Sequence, residues 1–416
     1  MSAERISRRR FATPSFDHLR RMTDDTGLLE HALGRIPRRV EGYCTDDNAR
    51  ALWVVTEWLS LGSSALSHED QAKLTKLAEI YMAFLLWQQP DDGWWHNNVA
   101  YDRTPEPEKK IQSHDCQGRA IWAVADAWVR LEGTMPNTAR VMVQRALPTL
   151  RQVDSRRGQA FAMAACAHLL DAGSRGAIRL PDSWREELTT HMENFERTMN
   201  EQFRNFSDDN WRWFEPAMTY SNGVLPWAML RTYQVTRRSE TLRNGLESLS
   251  FLLEKMTAEE GWLRPVGNDG WGTAENVSQW DQQPLEMFKL ALALEEAARA
   301  VEFADQLAAA DAEEHYVTSG APAGSAGTAP RTGGVGSGMT QSSGQHTPTL
   351  YRTSHLRAMR DLCLAWFYGE NDKRMPMCDP RDGSCCDGLM EIGPNMNCGA
   401  ESTISYLMTE ALCRRD

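Results

Sequence analysis

Apolar residues recur three and four positions apart through most of the chain, and the two-residue alternation of a half-buried strand is nearly absent. The pattern predicts helices over 49–59, 74–87, 120–131, 160–170, 225–235, 242–255, 285–301 and 355–367. Between them lie Gly-, Asp- and Trp-rich stretches such as Pro90-Asp91-Asp92-Gly93-Trp94-Trp95 and Glu260-Gly261-Trp262, which end helices. The predicted class is all-α. One stretch departs from the pattern: 318–345 is almost entirely Gly, Ala, Ser, Thr and Pro, with Arg331 its one charge. Such a composition buries too little apolar surface to offset its ordering entropy, so a disordered insert is expected there.

The starts of the helices carry more information than their interiors. Six times a polar cluster opens an apolar helix. The first three are Cys44-Thr45-Asp46-Asp47-Asn48-Ala49-Arg50, Ser113-His114-Asp115-Cys116-Gln117-Gly118-Arg119 and Asp154-Ser155-Arg156-Arg157-Gly158-Gln159. The later three are Thr219-Tyr220-Ser221-Asn222, Trp280-Asp281-Gln282-Gln283-Pro284-Leu285-Glu286 and Gly399-Ala400-Glu401-Ser402-Thr403. A helix N-terminus needs one capping side chain, and these clusters hold several long polar groups each. The excess predicts that the six ends converge on one cleft. Six such inner helices, each followed by an outer one, make an (α/α)6 toroid over 17–416 behind a basic tail at 1–16.

Charge narrows the function. Forty-five basic against 57 acidic residues leave a net charge of −12, which argues against nucleic acid and against anionic membranes as partners. No run of ~18 apolar residues exists to cross a bilayer. Ser7-Arg8-Arg9-Arg10-Phe11 looks like the start of a twin-arginine signal, but Pro14, Asp17, His18, Arg20 and Arg21 stand where an apolar segment would be needed. A cytoplasmic location is the expectation. The nine cysteines are odd in number, and Cys378, Cys385, Cys386 and Cys398 do not have zinc-ribbon spacing, so neither metal nor cofactor is expected. Tryptophan stands out, with 15 residues. Trp53, Trp58, Trp122 and Trp128 lie in apolar-periodic runs and read as core, whereas Trp94, Trp95, Trp211, Trp213, Trp262, Trp271 and Trp280 sit beside polar clusters. An apolar ring face with a polar rim suits a sugar.

Asp17-His18-Leu19, Thr23-Asp24-Asp25-Thr26-Gly27 and Gly42-Tyr43-Cys44-Thr45-Asp46-Asp47-Asn48-Ala49-Arg50-Ala51-Leu52 resemble a family of bacterial six-hairpin glycosidase-like proteins. The likeness continues through 113–120, Phe214-Glu215, 265–271, Asp281-Gln282-Gln283-Pro284 and Gly399-Ala400-Glu401-Ser402-Thr403. Members occur alone or fused behind a glycosyltransferase domain, which implies a functional link to such an enzyme. The Asp-Asp-Asn-Ala element is also similar to one in α-mannan-degrading (α/α)6 hydrolases, which points to a mannose-containing oligosaccharide.

Cleaving a glycosidic bond requires one carboxylic acid for the leaving oxygen and a second carboxylate as base or nucleophile. The candidates for this catalytic set are Asp47, Asp115, Glu215, Asp281 and Glu401. Glu215, between Phe214 and Pro216, is the expected acid, because apolar neighbours would keep it protonated. Asp47 and Asp115, each with an arginine a turn further on, are the expected bases. One of Asp46 and Asp47 is expected to cap its helix, as is Glu401. A wide cavity would leave room for water or phosphate between the carboxyls and favour inversion. The expected sugar-binding residues are Asp46, Asn48, Arg50, Trp95, His114, Arg119, Trp213 and Asn222, joined by Asn268, Asp269, Trp271, Gln282, Gln283 and Glu286. Asp47, Asp115, Glu215, Asp281 and Glu401 should face one cavity rimmed by Trp95, Trp213 and Trp271. Three functions are weighed: a glycoside hydrolase or phosphorylase, a sugar epimerase or isomerase on the same fold, and a non-catalytic carbohydrate-binding toroid partnering a glycosyltransferase. The surplus of carboxylates favours the first.

Overall fold

The computed structural model describes residues 13–104, 112–318 and 352–415, with side chains given to 311 in the second stretch. The insert expected at 318–345 falls almost wholly outside the described residues, as does most of the basic tail. The described chain is dominated by helices, which alternate between an inner and an outer ring. The inner ring consists of α2 (Thr45–Leu61), α4 (His114–Arg130), α6 (Arg156–Ser174), α8 (Val224–Thr236), α10 (Pro284–Thr318) and α12 (Ala400–Leu412). Each inner helix packs on the next, and α12 packs back on α2 to close the circle. The outer ring is α3 (His68–Gln88), α5 (Met135–Ala146), α7 (Asp182–Phe206), α9 (Ser239–Met256) and α11 (Thr353–Phe367), each beside the inner helix before it. The short α1 (Asp17–Arg21) lies against α12 and takes the sixth outer place. This is the (α/α)6 toroid that the helix starts predict.

The two rings differ as their surroundings require. Inner helices touch neighbours on several sides, and α6 buries Phe161, Met163, Cys166 and Leu169 together with the alanines among them. The outer α7 and α9 have one apolar face and one polar face. Four two-stranded ribbons also occur among the described residues: β1 (Ala32–Leu33) with β2 (Ile36–Pro37), β3 (Tyr43–Cys44) with β4 (Asn98–Val99), β5 (Cys378–Asp379) with β6 (Ser384–Cys385), and β7 (Gly388–Met390) with β8 (Gly393–Asn395). Strands of two or three residues are too short to show alternation, which is why the sequence pattern misses them. All nine cysteines are free thiols, and no described helix is long and apolar enough to cross a membrane.

The toroid axis is plugged. Trp53, Trp122, Phe161, Trp227 and Phe288, one from each of five inner helices, pack with ring centroids 4.7–6.3 Å apart. Lys289 is fully buried among them, its Nζ 3.8 Å from the Phe288 ring centroid and 4.7 Å from that of Trp53. Burial pushes its ammonium well below the usual lysine range. The plug leaves polar hollows at both mouths of the ring.

Candidate active site

The first turns of α2, α4 and α6 show why their polar groups are available for chemistry. Their caps are Cys44, whose Sγ accepts the Asp47 N–H at 3.3 Å, Ser113, whose Oγ accepts that of Cys116 at 3.2 Å, and Ser155, whose Oγ accepts that of Gly158 at 3.1 Å. Neither Asp46 nor Asp47 caps α2, contrary to expectation, because a thiol already fills that position. Glu401 does not cap α12 either; it lies in the first turn and reaches across to Arg50.

Two cavities open at this mouth. One, of about 350 Å³, is lined by Asp46, Asp47, Arg50, Gln283 and Glu401, with Glu30, His31 and Asp387 from the loops. Arg50 divides its fork between two carboxylates, with Nη1 2.6 Å from Asp47 and Nη2 2.9 Å from Glu401. Asp46 pairs with Arg119 from the neighbouring helix and accepts from Asn97 at 3.4 Å. The two consecutive aspartates are driven in opposite directions. Burial raises both, but at Asp46 the Arg119 and Arg50 charges outweigh it and hold the carboxyl below the usual range. At Asp47 burial, reinforced by the charges of Glu401 and Asp46, outweighs Arg50 and raises the carboxyl above that range. Glu30, Cys44 and Asp47 also bring one donor atom each within 4.8 Å of one another, the set among the described residues best placed to hold a cation.

The second cavity, of about 400 Å³, is lined by Asp115, Ser155, Arg157, Glu215 and Tyr220. Ser155 and Tyr220 donate their hydroxyls to Asp115, and the Gly158 N–H adds a bond of 3.2 Å. Glu215 does not meet the apolar setting that its sequence neighbours imply. Its carboxylate lies 2.5 Å from the Arg157 guanidinium, which also donates to the Tyr220 carbonyl at 2.9 Å and to Thr219 at 3.0 Å.

The expected single cavity is therefore two, with Asp47 and Glu401 in one and Asp115 and Glu215 in the other. Asp281, Asn268, Asp269 and Trp271 line neither. Asp281 sits three residues before α10 and accepts from Asn268 at 2.9 Å. Trp95 and Trp213 are buried, so neither forms a rim; the Trp95 indole donates to the Leu85 carbonyl at 2.8 Å. His114 packs 5.3 Å from Trp94 and accepts the Asp154 N–H through Nδ1 at 3.0 Å. Asn48, Asn222, Gln282 and Glu286 are internal braces. Asn48 accepts the Leu28 N–H at 2.8 Å and donates to the Leu28 carbonyl at 3.2 Å. Asn222 donates to Glu286 through its backbone at 3.1 Å and its side chain at 3.0 Å, and burial pushes the Glu286 carboxyl up to about 6.

Gln282 is bonded to Asp372 at 2.6 Å, and Asp372 also takes Trp262 at 2.8 Å and two nitrogens of Arg264 at 2.8 and 2.7 Å. Burial raises the Asp372 carboxyl, but Arg264, Trp262 and Gln282 together hold it below the usual range. Asp372→Ala should therefore lower stability at neutral pH by about 2–3 kcal/mol. The difference from wild type should shrink as pH falls and the wild-type carboxyl takes up its proton, which urea unfolding at several pH values would read. Arg157 and Tyr220 line the second cavity without being among the residues expected from sequence, although both stand inside the polar clusters. Glu30, His31 and Asp387 line the first from loops without periodic signal.

By sequence the chain matches no protein-family model and no curated protein. By structure it is similar to cellobiose 2-epimerase from Bacillus thermoamylovorans, with a TM-score of 0.62, 9% identity and 96% of each chain covered. It is similar also to a sugar epimerase from a ruminal bacterium, with a TM-score of 0.61, 10% identity, and 96% of this chain and 95% of that one covered. A third is an inactive variant of an α-1,6-mannanase from Salegentibacter sp., in complex with α-1,6-mannotetrose, with two consecutive aspartates replaced by alanine. Its TM-score is 0.55 at 11% identity, covering 99% of this chain and 97% of that one. These likenesses establish the shared toroid.

Proposed function

We propose that the chain is a carbohydrate-active enzyme that cleaves a glycosidic bond of an oligosaccharide, by hydrolysis or phosphorolysis, in the cavity lined by Asp46, Asp47 and Glu401. The observation that carries this reading is the pair of consecutive aspartates with oppositely displaced carboxyls in one open hollow. Environments that separate two carboxyls in this way assign the acid and the ionised partner. Asp47, whose carboxyl burial raises, delivers a proton to the leaving oxygen, while Asp46, paired with Arg119, takes a proton from the attacking water or phosphate, whose oxygen replaces the leaving oxygen on the anomeric carbon. Glu401, on the other arm of the Arg50 fork, faces the cavity from α12 and receives sugar hydroxyls. The α-1,6-mannanase of the same fold that was inactivated at two consecutive aspartates supports a mannose-containing substrate.

The test is incubation of the purified protein with manno-, gluco- and galacto-oligosaccharides, with and without phosphate, followed by chromatography of the products. Shorter sugars support the reading. An isomer of unchanged chain length would replace it with epimerisation, for which His31 is the histidine lining this cavity. No change in any sugar would reject it. The pH profile offers a second check: activity should fall on the alkaline side as Asp47 loses its proton, and that limb should disappear in Asp47→Asn assayed on an activated aryl glycoside.

A further inference from the structure

The opposite mouth of the toroid, at the C-terminal ends of the inner helices, has no part in the function above, yet it holds a larger hollow of about 770 Å³. Trp53, Trp122 and Trp227 of the axial plug form its floor. A continuous chain of polar pairs surrounds it. Glu57 pairs with Arg415 and, at 2.7 Å, with Arg130, which lies 3.4 Å from Asp126. His168 stands 3.3 Å from Asp126 through Nε2 and accepts from Arg231 through Nδ1 at 2.5 Å. Arg231 pairs with Glu296 at 3.2 Å, and Gln234 donates to Glu296 at 2.6 Å.

A belt of this kind has a purely structural reading, as a clamp between inner helices, but the hollow does not fit it. Burying charges demands desolvation that apolar packing of the same volume avoids, and a clamp needs no cavity inside it. Donors are moreover left over: the Trp122 indole N–H, the Arg231 Nε–H and, despite its nearness to Asp126, the His168 Nε2 make no hydrogen bond among the described residues, and Trp122 is 96% buried. Four carboxylates (Glu57, Asp126, Asp171 and Glu296) face five guanidiniums around the hollow, so neither a strongly anionic nor a cationic ligand is favoured. Neighbouring hydroxyls on a ring can donate to such carboxylates and accept from such guanidiniums at once, and apolar C–H groups suit the tryptophan floor. We infer that the C-terminal mouth is a second binding site, separated from the catalytic cavity by the aromatic plug, whose ligand is a neutral mono- or disaccharide.

Calorimetric titration of the full chain with D-mannose, D-glucose and α-1,6-mannobiose, with inorganic phosphate as the anion probe, tests this. Ala177 and Ser60 line the hollow, and neither side chain enters the ion-pair belt. Ala177→Trp should fill the hollow and either remove one equivalent of bound sugar or weaken it at least about tenfold, equivalent to 1.4 kcal/mol. Ser60→Trp repeats the block from another wall, so a folding failure of one variant, visible in its melting temperature, does not decide the matter. Asp47→Asn, at the other mouth, should keep that equivalent, which separates this site from the catalytic proposal. The inference is overturned if the wild type binds none of the sugars, if phosphate binds in their place, or if folded block variants bind sugar as the wild type does.

Discussion

Asp47→Asn is expected to lower the rate of oligosaccharide cleavage by about 10²–10⁴-fold, the contribution of one well-placed acid. It should largely spare an aryl glycoside whose leaving group departs without a proton. The fold should survive, because Arg50 retains Glu401 at 2.9 Å and is not left as an unpaired buried charge. Asp46→Asn should lose both activities, since an ionised carboxylate is needed whatever the leaving group. Glu215→Gln, by contrast, should alter the cleavage rate by no more than a few-fold, because Glu215 is occupied by Arg157 in a different cavity. Single-turnover rates of the three variants on both substrate types separate these outcomes. A Glu215→Gln enzyme that fails only on the natural sugar, beside an unimpaired Asp47→Asn, would move the acid to Glu215.

The contrast between Asp47 and Glu215 shows what the sequence could convey. The polar clusters were legible because each exceeded what a helix cap needs, and all six stand at or just before the starts of the inner helices. What the clusters do not reveal is the direction each side chain takes. Asn48 and Gln282 belong to the same clusters as Asp47 and Gln283, yet they bind Leu28 and Asp372, which are 20 and 90 residues away in sequence. Glu215 has aromatic neighbours in sequence, but its partner in space is 58 residues distant. The loop tryptophans mislead for a related reason: Trp95 and Trp213 are large enough to be drawn inward, whatever polar residues flank them. Periodicity reports which face of an element is apolar. It is silent on pairings between loops, and these decide whether a polar group braces the wall or faces the cavity.

Closing the ring imposes a constraint that supports the largest stability effect expected here. The inner helices α4 and α6 meet at Gly118 and Gly158, and a Cβ built on Gly118 would lie 2.3 Å from the Gly158 carbonyl oxygen and 2.7 Å from its Cα. One built on Gly158 would lie 2.4 Å from the His114 carbonyl oxygen. These obstacles are backbone atoms, which cannot swing aside as a side chain end can. Separating α4 from α6 would strain their contacts with α2 and α8, because the ring is closed. It would also disturb the Asp115 bond to the Gly158 N–H in the second cavity. Either Gly118→Ala or Gly158→Ala should therefore destabilise by at least about 3 kcal/mol, the upper part of the range for overpacking. The gain that alanine normally brings to a helix, about 1 kcal/mol, is too small to offset this. Combining the two should not rescue either, since each methyl strikes backbone and not the other methyl. Gly173→Ala, later in α6, is the milder control: its Cβ would lie 3.1 Å from the Leu180 Cβ, 3.2 Å from its Cδ2 and 3.8 Å from the Arg185 guanidinium, contacts that a shift of a few tenths of an ångström in the loop carrying Leu180 relieves. Urea unfolding of the three variants reads the difference directly. If Gly118→Ala unfolds at the wild-type midpoint, the two helices do not approach backbone to backbone, and the position of Asp115 beside α6 must be reconsidered.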